Sequence, residues 1–157
     1  MLLPKGEEEK TVNGLVLKFS IEVNATPSRV WEALTRPEMI KEYLFGAKAH
    51  TTWTPGSPIT FTGKWEGKAY EDRGTVLEFN PPRKLSYTYW SQMSGLADIP
   101  ENYKTITFEI IPMVTKTQLY LTQDNNIDEE SKAHSEKNWR MVLEGMKGLV
   151  EGQLRAA

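Results

Sequence analysis

The chain has 157 residues, of which 39% are hydrophobic and 25% are charged, and its formal net charge is −2. This length fits a single domain, and the composition is typical of a globular protein rather than a disordered or membrane protein. The small net charge gives no long-range field that would favour nucleic acid. Because the chain has no cysteine, it cannot form a disulfide, a zinc–thiolate site or a thiol nucleophile.

The first residues are not expected to act as a secretory signal peptide. No apolar run approaches the ~20 residues needed to cross a bilayer, and the first ten residues turn acidic where a signal peptide would have an apolar core. We therefore expect a cytoplasmic protein without stable membrane insertion. Residues 1–13 show no periodicity and are predicted to form an N-terminal tail, followed by one domain over residues 14–157.

The first predicted elements are a strand and two short helices. Apolar and other residues alternate over residues 15–23, which is typical of a strand with one buried face. Thr26 then suits an N-cap and Pro27 suits the first helical position, so a short helix is predicted over residues 27–35. Pro37 begins a second short helix for the same reason.

Six further strand-like segments follow. They are separated by turn residues such as Pro55-Gly56 and Pro81-Pro82. The short connections imply an antiparallel meander. The predicted strands are 47–54, 57–64, 68–79, 84–92, 103–111 and 115–123.

A long helix is predicted over residues 128–154. Its apolar stripe consists of Trp139, Leu143, Met146, Val150 and Leu154. One helix cannot cover a flat seven-stranded sheet, so the sheet must curve around the helix. The order of elements therefore predicts an α+β helix-grip fold, with a pocket between sheet and helix for a small apolar molecule.

The predicted mouth of this pocket lies at one end of the sheet. Alternating strand directions place the turn at Glu66-Gly67 and the long loop 93–102 at the same end. Long loops on a rigid scaffold often carry function. Leu96 and Ile99 in this loop and Trp65 on the neighbouring hairpin are the apolar residues expected there.

Several stretches of the chain, in this order and spacing, resemble a known superfamily. They are residues 21–27, 30–35, 74–78, 81–90, 117–121 and 139–149. The chain resembles the START/birch-pollen-allergen-like (SRPBCC) superfamily of helix-grip proteins over residues 15–152. Within it, the chain is similar to the branch named after the activator of the heat-shock protein 90 ATPase.

The resemblance implies binding of a small hydrophobic, lipid-like or aromatic ligand. Two alternatives stay open: a chaperone co-factor in stress response, and a cyclase, aromatase or hydrolase acting in the same cavity. Two positions depart from the family pattern. Asn138 stands where a glycine is common before the last-helix tryptophan, and Gln123 stands near a His-like position.

The residues themselves give little support for catalysis. His50 lies on a mid-sheet strand and His134 near the start of the last helix, and no G-x-S-x-G motif is present. Glu71 and Asp72 are adjacent on a strand and so point to opposite faces. We predict no catalytic residue, no metal site and no cofactor, and we favour a non-enzymatic role. A homodimer and a chaperone partner stay open, whereas nucleic acid is not expected.

The candidate ligand-binding residues come from the strand faces and the helix stripe. Tyr87 and Tyr89 share a face, so both hydroxyls could orient a polar ligand atom; alternatively both are core tyrosines bonded to the backbone. Trp139 and Met146 lie on the stripe that faces the sheet. The predicted ligand-binding residues are Trp65, Tyr87, Tyr89, Leu96, Ile99, Phe108, Leu119, Trp139, Val142 and Met146.

Overall fold

The computed structural model describes residues 15–156, and the side chains of residues 15–152. Its strands are β1 Leu15–Val23, β2 Lys48–His50, β3 Pro58–Trp65, β4 Lys68–Asn80, β5 Lys84–Tyr89, β6 Lys104–Pro112 and β7 Thr117–Asn126. Its helices are α1 Pro27–Thr35, α2 Pro37–Tyr43 and α3 Glu129–Ala156. Two 3-10 turns, Gln92–Ser94 and Pro100–Asn102, lie between β5 and β6. The predicted tail 1–13 and the side chain of Leu154 lie outside the described residues.

The seven strands form one antiparallel sheet in the order β1-β7-β6-β5-β4-β3-β2. This confirms the predicted α+β helix-grip fold. Strand β2 is shorter than predicted because the chain turns inward after it. Trp53 adopts a positive φ of 61°, and its ring stacks on Phe79 with 5.6 Å between centroids.

The helices begin where the capping residues indicate. The Thr26 hydroxyl accepts a hydrogen bond from the backbone N–H of Arg29 at 3.2 Å, which satisfies one of the free amides of α1. Asp128 precedes α3, and its carboxylate accepts from the backbone N–H of Ser131 at 2.8 Å. That hydrogen bond lowers the pKa of Asp128 below its ordinary value. Both helix starts are therefore set by local sequence.

Strands β4 and β5 approach each other unusually closely at Gly74. A Cβ atom on Gly74 would lie 1.7 Å from the carbonyl oxygen of Thr88, so only glycine allows the two strands to approach this closely. The backbone N–H of Thr75 donates to the hydroxyl of Thr88 at 2.9 Å, in place of a regular ladder bond. A register shift between Val76 and Glu78 follows directly. Bulges of this kind bend a strand and increase its twist.

The core lies between the concave face of the sheet and the helices. Inward-facing strand residues such as Ile59, Leu85 and Leu119 are almost fully buried, as are Leu143 and Met146 of α3. Within residues 15–156, no helix has both the length and the apolar character that crossing a membrane requires. The sheet thus presents one face to a single apolar core.

Candidate functional site

A small cavity lies in the core, where the two short helices, the sheet and α3 meet. Helices α1 and α2 form one wall, the strands form the floor, and α3 closes the remaining side. Its lining is apolar and aromatic except for the hydroxyls of two tyrosines and the indole N–H groups of two tryptophans. The lining residues are Leu34, Ile40, Tyr43, Leu44, Trp53, Phe61, Tyr87, Phe108, Trp139, Val142 and Leu143.

The cavity has a volume of about 30 Å³. That space holds one or two water molecules, whereas pockets for drug-sized ligands measure roughly 300–1,000 Å³. The sequence predicts a larger hollow, and aromatic rings explain the difference. Phe61 contacts Tyr87 with 5.9 Å between centroids, and Phe108 contacts Trp139 at 5.8 Å. In this conformation the rings fill most of the space between sheet and helix.

Tyr87 projects from β5 into the middle of this region. Its side chain is 7% exposed, and its hydroxyl has no hydrogen-bond partner among the described residues. Among the described residues, every side-chain nitrogen or oxygen that is fully buried has a hydrogen-bond partner. Because the Tyr87 hydroxyl has none, it is not fully buried, and it faces the cavity that Tyr87 lines. Burial raises the pKa of Tyr87 above its ordinary value of 10.0. The cavity therefore contains one neutral hydroxyl free to bond a guest molecule.

Tyr43 lines the same cavity but is used differently. Its hydroxyl donates to the carbonyl oxygen of Ala33 at 2.7 Å, which ties α2 to α1. Burial, and then the nearby Tyr87, raise the pKa of Tyr43 above its ordinary value. Of the two tyrosines in the lining, one therefore has a structural partner and the other does not.

A buried polar cluster flanks the cavity where β7 faces α3. The side-chain oxygen of Gln123 accepts from the indole N–H of Trp139 at 2.8 Å, and its amide donates to Asn126 at 3.0 Å. The Asn126 amide donates in turn to the carbonyl oxygens of Leu15 and Gln123. Gln123 is one of the two positions at which the sequence analysis notes a departure from the family pattern. In this chain it fixes the orientation of Trp139.

A second buried polar cluster lies on β4. Asp72 is 5% exposed; one of its carboxylate oxygens accepts a short hydrogen bond from the Tyr89 hydroxyl. The other accepts from the backbone N–H of Gln92 at 3.0 Å. Burial, and then Asp72, raise the pKa of Tyr89 well above its ordinary value. This cluster holds the chain where it leaves β5, and its hydroxyl is already occupied.

A larger groove, of about 540 Å³, lies on the outer face of the sheet. Thr60, Arg73 and Thr88 line it, and they alternate along their strands with residues that face the core. Its charged groups satisfy one another, since Asp98 bonds Arg73 at 3.0 Å and the Tyr103 hydroxyl at 2.5 Å. Burial, and then Asp98, raise the pKa of Tyr103 to about 12. This groove is open to solvent, and the polar groups named here already bond one another.

The long loop lies along this outer groove, so the expectation that it covers the mouth is corrected. The indole N–H of Trp90 donates to the carbonyl oxygen of Leu96 at 3.1 Å, and Asp98 pairs with Arg73. Both partners are on the outer face of the sheet, which draws the loop away from the core. Leu96 and Ile99 are 37% and 45% exposed and do not line the cavity.

The other predicted ligand-binding residues divide into three groups. Four line the cavity, namely Tyr87, Phe108, Trp139 and Val142. Leu119 and Met146 are fully buried in the core outside the lining, and Tyr89 packs against Phe61 with its hydroxyl on Asp72. Trp65 is 50% exposed and contacts Phe45. Whether any of them binds a ligand stays a prediction.

Sequence reasoning missed most of the helical wall and one strand position. Leu34, Ile40 and Leu44 could have been found from the apolar stripes of the two short helices, which must face something. Phe61 could have been found from the alternation in β3. Trp53 had no such signal, because its inward position depends on a positive φ after β2. Asp72 shares the buried face of β4 with Val76, so the alternation along this strand also contains a signal for it.

The lining offers no acid–base pair. It contains no carboxylate, histidine or lysine, and its tyrosines have pKa values raised by burial. His50 is exposed, with Nε2 3.0 Å from the Thr62 hydroxyl, and His134 is exposed on α3. No three His, Asp or Glu residues within the described part of the chain are grouped as metal ligands. The arrangement is suited to holding an apolar molecule by contact and one hydrogen bond.

Comparisons with known proteins agree with this architecture. Residues 24–151 match the family model described as Activator of Hsp90 ATPase homolog 1-like protein. The solution structure of ChR145 from Cytophaga hutchinsonii is similar at 42% identity and a TM-score of 0.80, covering 91% of this chain and 98% of that one. No curated protein matches the chain.

Two more distant structures share the fold. The crystal structure of MLL2253 from Mesorhizobium loti has 22% identity and a TM-score of 0.71, and the alignment covers 87% of this chain and 97% of that one. The solution structure of the Aha1 dimer from Colwellia psychrerythraea has 18% identity and a TM-score of 0.69, with 87% and 96% covered.

Proposed function

Because this chain belongs to the family of Activator of Hsp90 ATPase homolog 1-like proteins, whose fold is commonly a scaffold for a ligand cavity, we propose that it binds a small, largely apolar molecule between the sheet and α3. The molecule carries one polar atom that bonds the Tyr87 hydroxyl. The free hydroxyl in an otherwise apolar lining is the observation that carries this proposal. A buried hydroxyl without a partner is unfavourable, and a ligand that supplies one gains specificity.

Ligand binding requires the cavity to open, since about 30 Å³ cannot hold a ring system. The strands are held by ladder hydrogen bonds, so the sheet side is the stiffer wall. Helix α2 has only seven residues and no side-chain N-cap. It lies against α3 near Gly145, where an added Cβ would be 3.5 Å from Tyr43. Outward movement of α2 is therefore the route by which we expect space to form.

Binding is favoured over catalysis in this cavity. A cyclase or hydrolase needs a group that accepts or donates a proton near neutral pH. Burial keeps the Tyr43 and Tyr87 hydroxyls protonated there, and no carboxylate or imidazole lines the space. Turnover of an ester or polyketide-like substrate that is lost in Tyr87→Phe would reverse this preference.

The test uses two probes that differ by one hydroxyl, 2-naphthol and naphthalene. Binding is followed by amide chemical shifts of the full chain in solution. We expect shifts at the cavity lining for both probes and about fivefold tighter binding of 2-naphthol, as one hydrogen bond of about 1 kcal/mol provides. Tyr87→Phe removes this preference.

Tyr43→Phe is the matched control, because that hydroxyl is already bonded to Ala33. It should keep the preference for 2-naphthol. If neither probe shifts the lining residues, or if Tyr87→Phe retains the full preference, the proposal is wrong.

The family name and the dimer of the Colwellia protein suggest a second role, in chaperone binding or self-association. Those properties belong to the proteins so named, and for this chain they are proposals. A pull-down with an Hsp90 protein tests the first, and sedimentation over a range of concentrations tests the second. A monomer that recovers no Hsp90 would exclude both.

A further inference from the structure

The concave face of the sheet changes character one step beyond the cavity. Tyr87, Ile106 and Gln123 form a buried row across β5, β6 and β7. Two residues further along the strands, Tyr89 and Lys104 pair across β5 and β6, at a distance of about 7 Å from that row. Both residues of this pair, which we call the end row, are only partly buried. The interior therefore passes here from enclosed core to a partly open end.

Lys104 faces this interior rather than the outer side of the sheet. Along β6 it is in phase with the buried residues Ile106 and Phe108, whereas Glu109 between them and the next buried residue is exposed. Its ammonium donates to the carbonyl oxygen of Asn125 at 3.0 Å. Because an ammonium group has three N–H donors, this bond leaves donors for another molecule.

The bond to Asn125 does not account for a lysine at this position. Asn125 has a positive φ of 57°, and its side-chain amide donates to the carbonyl oxygens of Glu101 and Tyr103, both at 2.9 Å. These two bonds hold the end of β7 against the chain that enters β6. The local backbone is therefore tied down without the ammonium of Lys104.

Lys104 is also a cation without a paired anion. It forms no ion pair with a carboxylate of residues 15–152. Burial lowers the pKa of Lys104 below its ordinary value, and Asp124 opposes this shift from beyond ion-pair distance. The Asp124 carboxylate itself accepts from the backbone N–H of Thr105 at 2.6 Å. A partly desolvated ammonium is stabilised by an anion that binds it directly.

Helix α3 gives the end row no apolar cover. Trp139 lines the cavity and is the first large ring of the helix. Ser135 and Lys132 lie four and seven positions earlier on the same face, and both are only partly buried. Residues 129–138 contain no large apolar side chain. The gap between sheet and helix is therefore apolar at the cavity and polar at the end row.

We propose that Lys104 binds a carboxylate of the ligand while the apolar body of the ligand lies in the cavity. This inference rests on the proposed function and adds the class of ligand, an apolar acid. Phe61 lines the cavity and also contacts the ring of Tyr89 at 6.0 Å, so the lining extends to the end row. A hydrogen bond between ammonium and carboxylate is stronger than one between neutral groups.

The test compares three forms of one ring system, namely 2-naphthol, 6-hydroxy-2-naphthoate and 6-hydroxy-2-naphthamide. The naphthoate is ionised at neutral pH, whereas the naphthamide is neutral and has nearly the same shape. Binding is followed by amide chemical shifts of the full chain. We expect shifts at the cavity lining and at Lys104, with about tenfold tighter binding of the naphthoate than of the naphthamide.

Lys104→Met removes the charge and keeps an unbranched side chain of similar length. It should bind the naphthoate no more tightly than the naphthamide, and it should bind the naphthamide like the parent chain, which shows that the cavity is intact. Lys18→Met is the matched control. Lys18 is exposed on the outer face of β1 and forms no ion pair within residues 15–152, so this variant should keep the preference.

The outcomes distinguish this inference from the proposed function. If 2-naphthol shifts the lining but the parent chain or Lys104→Met behaves otherwise than expected toward the naphthoate, the role of Lys104 is wrong and the proposed function stands. If none of the three probes shifts the lining, both are wrong. Equal loss of preference in Lys18→Met would attribute it to net charge and overturn the inference. Naphthoate shifts around Lys104 without shifts at the lining would also overturn it, because the anion would then bind outside the cavity.

Discussion

Tyr87 and Gln123 face the interior from the same row of the sheet, one on either side of Ile106. The Gln123 side chain is fully used, since it bonds Trp139 and Asn126. The Tyr87 hydroxyl has no such partner among the described residues. Two polar groups of similar depth and neighbouring position therefore have different roles. Gln123 stabilises this conformation, whereas Tyr87 is available to a second molecule.

Asp72 is like Gln123 and unlike Tyr87, because its buried polar atoms all have hydrogen-bond partners within the protein. Its carboxylate satisfies the Tyr89 hydroxyl and the Gln92 N–H, so removing it leaves buried groups unpaired. Removing the Tyr87 hydroxyl leaves nothing unpaired. Loss of the Asp72 or Gln123 side chain should therefore lower the stability of the fold, whereas loss of the Tyr87 hydroxyl should chiefly weaken ligand binding.

The largest effect is expected at high pH. The pKa of Tyr87 is raised by burial above 10.0, so above that pH the folded chain holds this proton more tightly than the unfolded chain. Its contribution to stability is complete below about pH 10 and is lost as the pH rises further. The free energy of unfolding should fall by about 1.4 kcal/mol per pH unit for each such tyrosine. Tyr43 and Tyr89 act in the same direction.

Denaturant unfolding between about pH 9 and pH 11 measures this slope. Tyr87→Phe should reduce this slope by about 1.4 kcal/mol per pH unit, the contribution of one tyrosine. An unchanged slope would mean that burial does not raise the pKa of Tyr87.

Asp72→Ala should lower the free energy of unfolding by about 3 kcal/mol. The variant leaves the Tyr89 hydroxyl and the Gln92 N–H without their carboxylate. Chemical denaturation at neutral pH measures the change. Asp98→Ala is the control: its carboxylate bonds Arg73 and Tyr103 on the outer face, where a pair contributes at most about 1 kcal/mol. Equal losses would remove the distinction between inner and outer carboxylates.

Gln123→Ala should cost about 2 kcal/mol, because the Trp139 indole N–H and the Asn126 amide lose a partner in the core. The emission of Trp139 should change as well, since its ring is no longer held. Gln118→Ala lies on the same strand but on the other face, and its effect should stay within about 0.5 kcal/mol. A neutral Gln123→Ala would show that Trp139 is held by packing alone.

The smallest stability effect is expected for the pair of tyrosine variants. Tyr43→Phe should lower the free energy of unfolding by about 1 kcal/mol because it removes the bond to Ala33. Tyr87→Phe should be neutral or slightly stabilising, since no described residue loses a bond. Thermal unfolding of both variants beside the parent chain provides the comparison. A loss for Tyr87→Phe as large as that for Tyr43→Phe would place its hydroxyl among the structural groups.

Much of the fold follows from local sequence. Three signals depend only on neighbours a few residues away: the alternation in β1, the capping residues Thr26 and Asp128, and the apolar stripe of α3. The bounds of β1, α1 and α3 could therefore be predicted to within one or two residues. The close approach of β4 and β5 has a local signal in Gly74, although its contact with Thr88 is visible only once the two strands are paired. Four of the predicted ligand-binding residues line the cavity because alternation and the helix stripe fix which face points inward.

The sequence by itself determined which faces are buried, because burial of a face follows from periodicity along one element. Only the tertiary structure decided how much room remains, because volume depends on how rings from several elements meet. Trp53 packs against the core because its backbone adopts a positive φ. Leu96 and Ile99 lie away from the cavity because Trp90 and Arg73 bind their loop on the outer face of the sheet. Whether a buried hydroxyl is satisfied is likewise a property of distant partners, which is why Tyr87 and Tyr43 could not be told apart before their surroundings were known.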